Sequence, residues 1–294
     1  MQTEGCPGTN LDSSLNIAKR YLDGVASLPP APMLVTELLT LFRQPDRDID
    51  QVVQLISYEP SLTAQILRTC NSVHFAGEDP PSDIFEAVSR IGFYQVYCLV
   101  VSMFGARTKS IDGACEGLDV DAAWQHSVIV AVSAAAVADM AGLPKTVAFT
   151  AGLLHDIGKL VLASAERKTY ARLIQQALSE KVALSKMERT HLGVDHAEVG
   201  GELLRRWNLP ADVVAAVSQH HQPHAAAPYE QLSAAVQVGD FVAHRFFAKD
   251  TSEIEGLSLS SAALDVLHLR SGDLPRLLDE IEEEMEKVKG LLEM

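Results

Sequence analysis

Basic residues and cysteines are both scarce in this chain of 294 residues, and each shortage excludes a class of protein. The 24 Lys and Arg stand against 39 Asp and Glu, which gives a formal net charge of −15. Such a charge argues against a broadly basic nucleic-acid surface and against docking on anionic lipid. The four cysteines form no Cys-x-x-Cys pair, so a disulfide framework is not expected. Cys70 and Cys98 lie in apolar helical stretches and are predicted to be buried, reduced thiols.

Targeting features are lacking as well. The first ten residues, MQTEGCPGTN, have neither a basic start nor an apolar run, so they do not resemble a signal peptide. The longest apolar run, residues 128–138, is too short to span a bilayer. We therefore expect a soluble, cytoplasmic protein with neither a membrane nor a nucleic acid as a partner.

Strand patterns are nearly absent, and apolar residues recur at helical spacing, so the chain is predicted to be all-α. Predicted helices cover 14–27, 33–42, 61–71, 93–109, 119–140, 144–156, 168–180, 196–207, 211–221, 229–247 and 261–269, with shorter ones after Asp48 and after either Ser82 or Asp83. Gly158 is expected to let the backbone change direction after residue 156. The predicted parts are an N-terminal extension (1–25), an N-terminal helical lobe (26–115), a helical core (116–250) and a C-terminal helical tail (251–294).

The tail is acidic, and its apolar residues alternate spacings of four and three from Leu274 to Leu292. This is a heptad seam of fewer than three repeats. We favour a terminal helix that packs on its own domain, and a contact in a homodimer is the alternative.

Side chains suited to metal binding recur at intervals through the second half of the chain. They are a His, an adjacent His-Asp pair, a His, a His-His pair and an Asp: His126, His155, Asp156, His196, His220, His221 and Asp240. Singly, each has an ordinary explanation as a satisfied core histidine or a helix cap. Together they are hard to explain in that way, because Asp156 and Asp240 adjoin apolar runs where a buried charge needs a partner. Imidazole and carboxylate ligands suit iron, manganese, zinc or nickel.

The order of these residues resembles the HD superfamily of metal-dependent phosphohydrolases, whose central motif is similar to GLLHDIGK at 152–159. Other segments resemble the HDOD family, a group of bacterial signalling domains related to the HD-GYP cyclic-di-GMP phosphodiesterases. These segments are LPPAP (28–32), EPSL (59–62), LRTCNS (67–72), AVSRIG (87–92), HAEVG (196–200) and WNLP (207–210). The resemblance runs from about residue 26 to 247 and implies an HD-type core preceded by a helical lobe.

The resemblance also implies a role for each ligand. His126, His155, Asp156 and Asp240 would hold one metal ion. Asp156 would bridge to a second ion held by His196 and His220, with His221 close by. The two ions would be divalent transition metals, with iron or manganese favoured and zinc or nickel as alternatives. Asp156 and Lys159 are the candidate catalytic residues, and Lys159 would face a substrate phosphate.

Two departures from the HD-GYP enzymes affect the predicted site. No Gly-Tyr-Pro loop follows the His-His pair, and Ala122 stands where three-metal members carry a Glu. A two-metal site is therefore predicted, and cyclic-di-GMP is in doubt as the substrate. We also predict that His191, His244 and His268 lie outside the site, with His224 a weaker candidate to border it.

Two classes of function remain open from the sequence. In the first, the protein hydrolyses a nucleotide or another phosphoester. In the second, it is a non-catalytic regulatory module that contacts signalling proteins, and its metal is structural or sensory. Many HDOD proteins have lost ligands and are thought to be regulators, whereas the ligand positions here are filled.

Overall fold

The computed structural model describes residues 8–25, 33–44, 48–57, 59–71, 81, 83–108, 118–247 and 261–292. Within these ranges every regular element is a helix, which confirms the all-α prediction. Cys70 and Cys98 are buried and free, as predicted. The linker at 109–117, which holds the predicted boundary between lobe and core, lies outside the described residues, so the division into four parts stays a prediction.

The regular elements described in the N-terminal half are helices, and all of these helices but the first belong to the predicted lobe (26–115). They are α1 (Gly8–Gly24), α2 (Met33–Phe42), α3 (Ile49–Ser57), α4 (Pro60–Cys70), α5 (Ile84–Ile91) and α6 (Phe93–Thr108). Pro60 stands in the first turn of α4, where its missing N–H leaves no bond unmade. The lobe docks on the rest of the chain through Tyr97, whose hydroxyl bonds Thr150, and through Arg43, which donates two bonds of 2.9 and 2.7 Å to Asp212.

The second half contains the remaining helices. They are α7 (Val120–Met140), α8 (Lys145–Leu154), α9 (Ile157–Ala165), α10 (Arg167–Glu180), α11 (Leu184–Leu192), α12 (His196–Arg206), α13 (Ala211–Ser218), α14 (Glu230–Phe247), α15 (Ser261–Val266) and α16 (Leu274–Leu292). The sequence pattern missed α9 and α11. Both are only nine residues long, and α11 is mostly polar, so the run of helical spacing was too short to indicate them.

Helix α7 lies at the centre of the fold, between α8 and α14. Small residues make this arrangement fit. A Cβ at Gly152 of α8 would lie 2.8 Å from the Ala131 Cα, and a Cβ at Gly239 of α14 would lie 2.8 Å from the Val130 carbonyl oxygen. The three backbones therefore approach one another closely, and this closeness sets the spacing of the side chains at their ends.

Gly158 brings α9 against α12 in the same way. A Cβ at this position would lie 2.0 Å from the His196 carbonyl oxygen and 2.7 Å from the Gly200 nitrogen. The sequence predicted a bend at Gly158, but this residue is helical, and the change of direction occurs at Asp156, where φ is −99° and ψ is 6°. The glycine is needed for close contact between helices rather than for a turn.

Helices α1 and α16 both pack on the core. Arg206 of α12 donates to Asp23 and to the Lys19 carbonyl of α1, at 2.8 and 3.3 Å. Leu277 and Ile281 of α16 are buried in a cluster with residues of α7 and α14. This supports the interpretation of the tail as a terminal helix on its own domain.

Two stretches are long and apolar enough to cross a membrane, α7 and Lys145–Ala165. A bent pair, Ile84–Ile91 with Phe93–Phe104, meets the same criterion when it is counted as one span. In the fold the two stretches are interior, since 67% and 78% of the residues in their apolar windows are buried. The cytoplasmic location stays a prediction.

Replacing Gly158 by Ala should test the contact between α9 and α12. Because the new Cβ would overlap backbone atoms that cannot move aside, we expect Gly158→Ala to lower the free energy of unfolding by about 3 kcal/mol. Urea unfolding followed by circular dichroism measures the change. The matched control is Gly24→Ala at the end of α1, where a Cβ would meet no atom within 4 Å. Equal stability of the two variants would contradict the packing described here.

Candidate metal centre

His155 and Asp156 enter the centre from the junction between α8 and α9. His155 caps the C-terminus of α8, and Asp156 precedes the first residue of α9. Adjacent residues on one helix would diverge by about 100°, and the break between the helices removes that constraint. The Nδ1 atom of His155 is 2.7 Å from the Gly152 carbonyl oxygen, and its Nε2 lies 3.3 Å from Asp156 Oδ2.

His196 is held by Glu188, a fully buried residue of α11. One oxygen of Glu188 lies 2.9 Å from the His196 backbone nitrogen and 2.6 Å from its Nδ1, and Tyr170 donates to the other oxygen at 2.6 Å. A carboxylate on the far nitrogen of an imidazole fixes the ring and its tautomer, as in histidines that bind metals. The Nε2 atom of His196 lies 3.2 Å from Asp156 Oδ1.

The His-His pair follows the C-terminus of α13. The Nδ1 atom of His220 is 2.8 Å from the Val217 carbonyl oxygen, and His221 Nε2 is 2.9 Å from His196 Nε2. The His220 ring also lies 5.1 Å from the ring of His155. His196, His220 and His221 thereby form one group whose ligand atoms lie within 4.8 Å of one another.

Helices α7 and α14 supply the other end of the centre. The Nε2 atom of His126 lies 3.0 Å from Asp240 Oδ1 and 4.0 Å from Asp156 Oδ2. Asp240 Oδ1 is also 3.8 Å from His155 Nε2. His126, His155 and Asp156 form a second group that could hold a metal ion. Asp156 stands between the two groups, with one oxygen towards each.

Two histidine nitrogens of the centre lack a hydrogen-bond partner, and this fits a site that binds metal ions. Within the described part of the chain, His155 Nε2 and His220 Nε2 are buried and make no hydrogen bond. The Nδ1 atom of each ring lies against a backbone carbonyl oxygen, and we assign the proton to that nitrogen. Each Nε2 then carries a lone pair directed at the centre. A buried acceptor without a partner is costly, and a bound cation would satisfy it.

The charged groups of the centre shift one another's pKa values. Burial alone would lower the pKa of His196, but the Glu188 carboxylate raises it to about 10. For His221, burial and the charge on His196 lower the pKa to about 3. Burial alone would raise the pKa of Asp156, but His155 and Lys159 hold it well below its usual range. Lys159 and Asp156 form an ion pair at the edge of the centre.

All seven predicted ligands and Lys159 thus converge, although their roles stay predictions. Two further residues were missed. Glu188 lies on the unpredicted helix α11, and His244, predicted to be an ordinary residue, lies 3.4 Å from Asp240. The four-residue spacing of Asp240 and His244 on one helix was the available signal. His191 is exposed, as predicted, and His224 borders an open groove together with His221.

Glu188 should control metal affinity through His196. Glu188→Gln removes the charge that orients the imidazole, so we expect the affinity for a divalent metal to fall by about 10- to 100-fold. Competition between the protein and a fluorescent chelator for Zn²⁺ measures this. Glu180→Gln, at an exposed position of α10, is the matched control. An unchanged affinity in Glu188→Gln would show that Glu188 does not position His196 for a metal.

Two curated proteins are similar to this chain in sequence. A protein of Treponema pallidum (strain Nichols), described as uncharacterized, is 28% identical over 224 residues, which are 75% of this chain and 43% of that protein. The chain spans less than half the length of the curated relatives that it matches, down to 13% for a ribonuclease Y from Deinococcus radiodurans that is 34% identical over 99 residues.

Solved structures share the whole fold. An HDOD domain protein of unknown function from Geobacter sulfurreducens has a TM-score of 0.76 at 22% identity, covering 96% of this chain and 98% of that one. A candidate phosphohydrolase from Shewanella amazonensis SB2B has a TM-score of 0.70 at 24% identity, covering 93% and 97%. These identities establish the fold alone. A model of the HDOD domain matches residues 28–223, two thirds of the chain. The chain therefore belongs to the HDOD family.

Proposed function

We propose that this protein is a metal-dependent phosphohydrolase that cleaves a nucleotide or another phosphoester. One observation carries the proposal. The Nε2 atoms of His155 and His220 are buried without a hydrogen bond in rings that lie 5.1 Å apart, beside the Asp156 carboxylate. Such a group of unbonded imidazole nitrogens next to a carboxylate suits a two-metal centre. A helical scaffold without metal would gain more stability from hydrogen-bonded side chains at these positions.

The proposed ligands form two sets that share Asp156. One ion would be held by His126, His155, Asp156 and Asp240, and the second by Asp156, His196 and His220, with His221 beside them. When bound, two such ions lower the pKa of a water molecule and polarise a phosphoryl oxygen. The two oxygens of Asp156 already contact different histidines, Oδ1 facing His196 and Oδ2 facing His155, which suits a bridging carboxylate.

We expect Lys159 to bind the substrate. It follows Asp156 by one turn of α9, and its side chain is 24% exposed, so its ammonium group lies at the open edge of the centre. The ion pair with Asp156 keeps the lysine charged, since the pKa of Lys159 is raised by this carboxylate against the opposing effect of burial. A phosphate oxygen arriving at this edge would take over the interaction with the ammonium group.

The names of two similar proteins agree with this chemistry. The Shewanella amazonensis protein is named as a candidate phosphohydrolase, and the partial Deinococcus radiodurans relative is named as a ribonuclease. Neither similarity selects a substrate for this chain. The chemistry common to both names is attack on a phosphoester bond.

Replacing Asp156 by Asn tests the metal centre. We expect the wild type, purified anaerobically without added metal or a His-tag, to contain close to two equivalents of a transition metal. Asp156→Asn should lose most of that metal and, with it, all hydrolysis in a screen of nucleotides and other phosphoesters, because the bridging charge is gone. Elemental analysis and phosphate release give the two readouts. A wild type that takes up no metal even after reconstitution would rule out the hydrolase and favour the regulatory module.

Lys159→Met separates catalysis from metal binding. Because the lysine is expected to bind substrate phosphate, the variant should keep its metal and lose about 10²- to 10³-fold in kcat/KM. The matched control is Lys168→Met, at an exposed position of α10, which should keep full activity. Full activity in Lys159→Met would remove this lysine from the mechanism. Hydrolysis that does not require metal would contradict the proposal as a whole.

A further inference from the structure

His244 extends the metal centre beyond the predicted ligands. It lies one turn after Asp240 on α14, so both side chains share a face of the helix. The Nε2 atom of His244 is 3.4 Å from Asp240 Oδ1, and its ring is 4.9 Å from the ring of His126. The side chain is also 47% exposed, so the imidazole sits at the border between the centre and solvent.

The three donor atoms have the spacing of a coordination site. His126 Nε2 and His244 Nε2 lie 3.0 and 3.4 Å from Asp240 Oδ1, and all three atoms are within 4.8 Å of one another. Metal–ligand bonds of about 2.0–2.1 Å place neighbouring ligands about 3–3.4 Å apart around one ion. A pair of histidines with one carboxylate is a donor set that suits Fe²⁺, and also Mn²⁺, Zn²⁺ or Ni²⁺.

A separate, outer ion at this position would take His126 out of the ligand set proposed above for the ion beside His155. An imidazole Nε2 has one lone pair, so His126 can bind only one ion. If His126 binds the outer ion, the middle ion keeps His155 and an oxygen of each carboxylate, Asp156 and Asp240. Asp240 has contacts in both directions, since its Oδ1 is within 3.8 Å of His155 and 3.4 Å of His244. Every histidine is then used once, and both carboxylates act as bridges.

We propose that His126, Asp240 and His244 form a third divalent-cation site, the outer site, beside the two-metal centre. This inference rests on the proposed function, because the outer site shares Asp240 with that centre. The prediction of only two metals relied on Ala122, which offers no ligand on α7. His244 supplies the missing donor from α14 instead. Since its side chains are partly exposed, water completes the coordination of the outer ion, which exchanges more readily than the inner ions.

Titration of metal-stripped protein with Co²⁺ tests the outer site, by anaerobic calorimetry together with visible absorption of the bound ion. The wild type should bind three equivalents, the third more weakly than the first two. His244→Ala should bind two. His244→Asp should regain the third, because a carboxylate can replace the imidazole as a ligand. His191→Ala, at an exposed position of α11, is the control and should bind three.

The outcomes separate this inference from the proposed function, because the count of bound Co²⁺ needs no substrate. Equal stoichiometry and affinity in the wild type and His244→Ala would overturn the outer site, while phosphoester hydrolysis could still be intact. Three equivalents in the wild type and two in His244→Ala, without any hydrolysis, would uphold the outer site and contradict the hydrolase. Protein that binds no Co²⁺ would overturn both.

Discussion

The rest of the centre depends on one constraint, the close contact of the α8 and α14 backbones with the backbone of α7. Gly152 and Gly239 bring α8 and α14 so close to α7 that a methyl group would overlap backbone atoms. His155 follows the end of α8, Asp240 directly follows Gly239, and His126 lies on α7 itself. The distances among these side chains are therefore set by backbone packing rather than by flexible side chains, which is what a metal site with fixed ligands needs.

A second close contact joins the other half of the centre. Gly158 lies against the His196 carbonyl oxygen, so the junction that carries His155 and Asp156 meets the start of α12. Asp156 is then able to face His196 with one oxygen and His155 with the other. Its negative charge is stabilised in a buried position by His155 and Lys159. The close backbone contacts at Gly152, Gly239 and Gly158 thus bring the helices together around the Asp156 carboxylate.

The centre is graded in its exposure to solvent. His155, His196 and His220 are almost fully buried, whereas Asp240 and Lys159 are partly exposed and His244 is about half exposed. Solvent reaches the open side, and on the buried side Glu188 and two backbone carbonyls hold the histidines in place. This gradient is consistent both with the proposed role of Lys159 and with a more weakly held outer ion.

The amino-acid sequence determined the helical class, most helix positions and the identity of seven candidate ligands, because helical periodicity and the order of His and Asp residues can be recognised without knowing how the helices pack. It placed α2 at 33–42 and α10 to within one residue at its start. It missed α9 and α11, which are only nine residues long, and with α11 it missed Glu188. It also assigned Gly158 to a bend. Only the tertiary structure decided which side chains meet, since the contacts of Glu188 with His196 and of His244 with His126 depend on how separate helices pack.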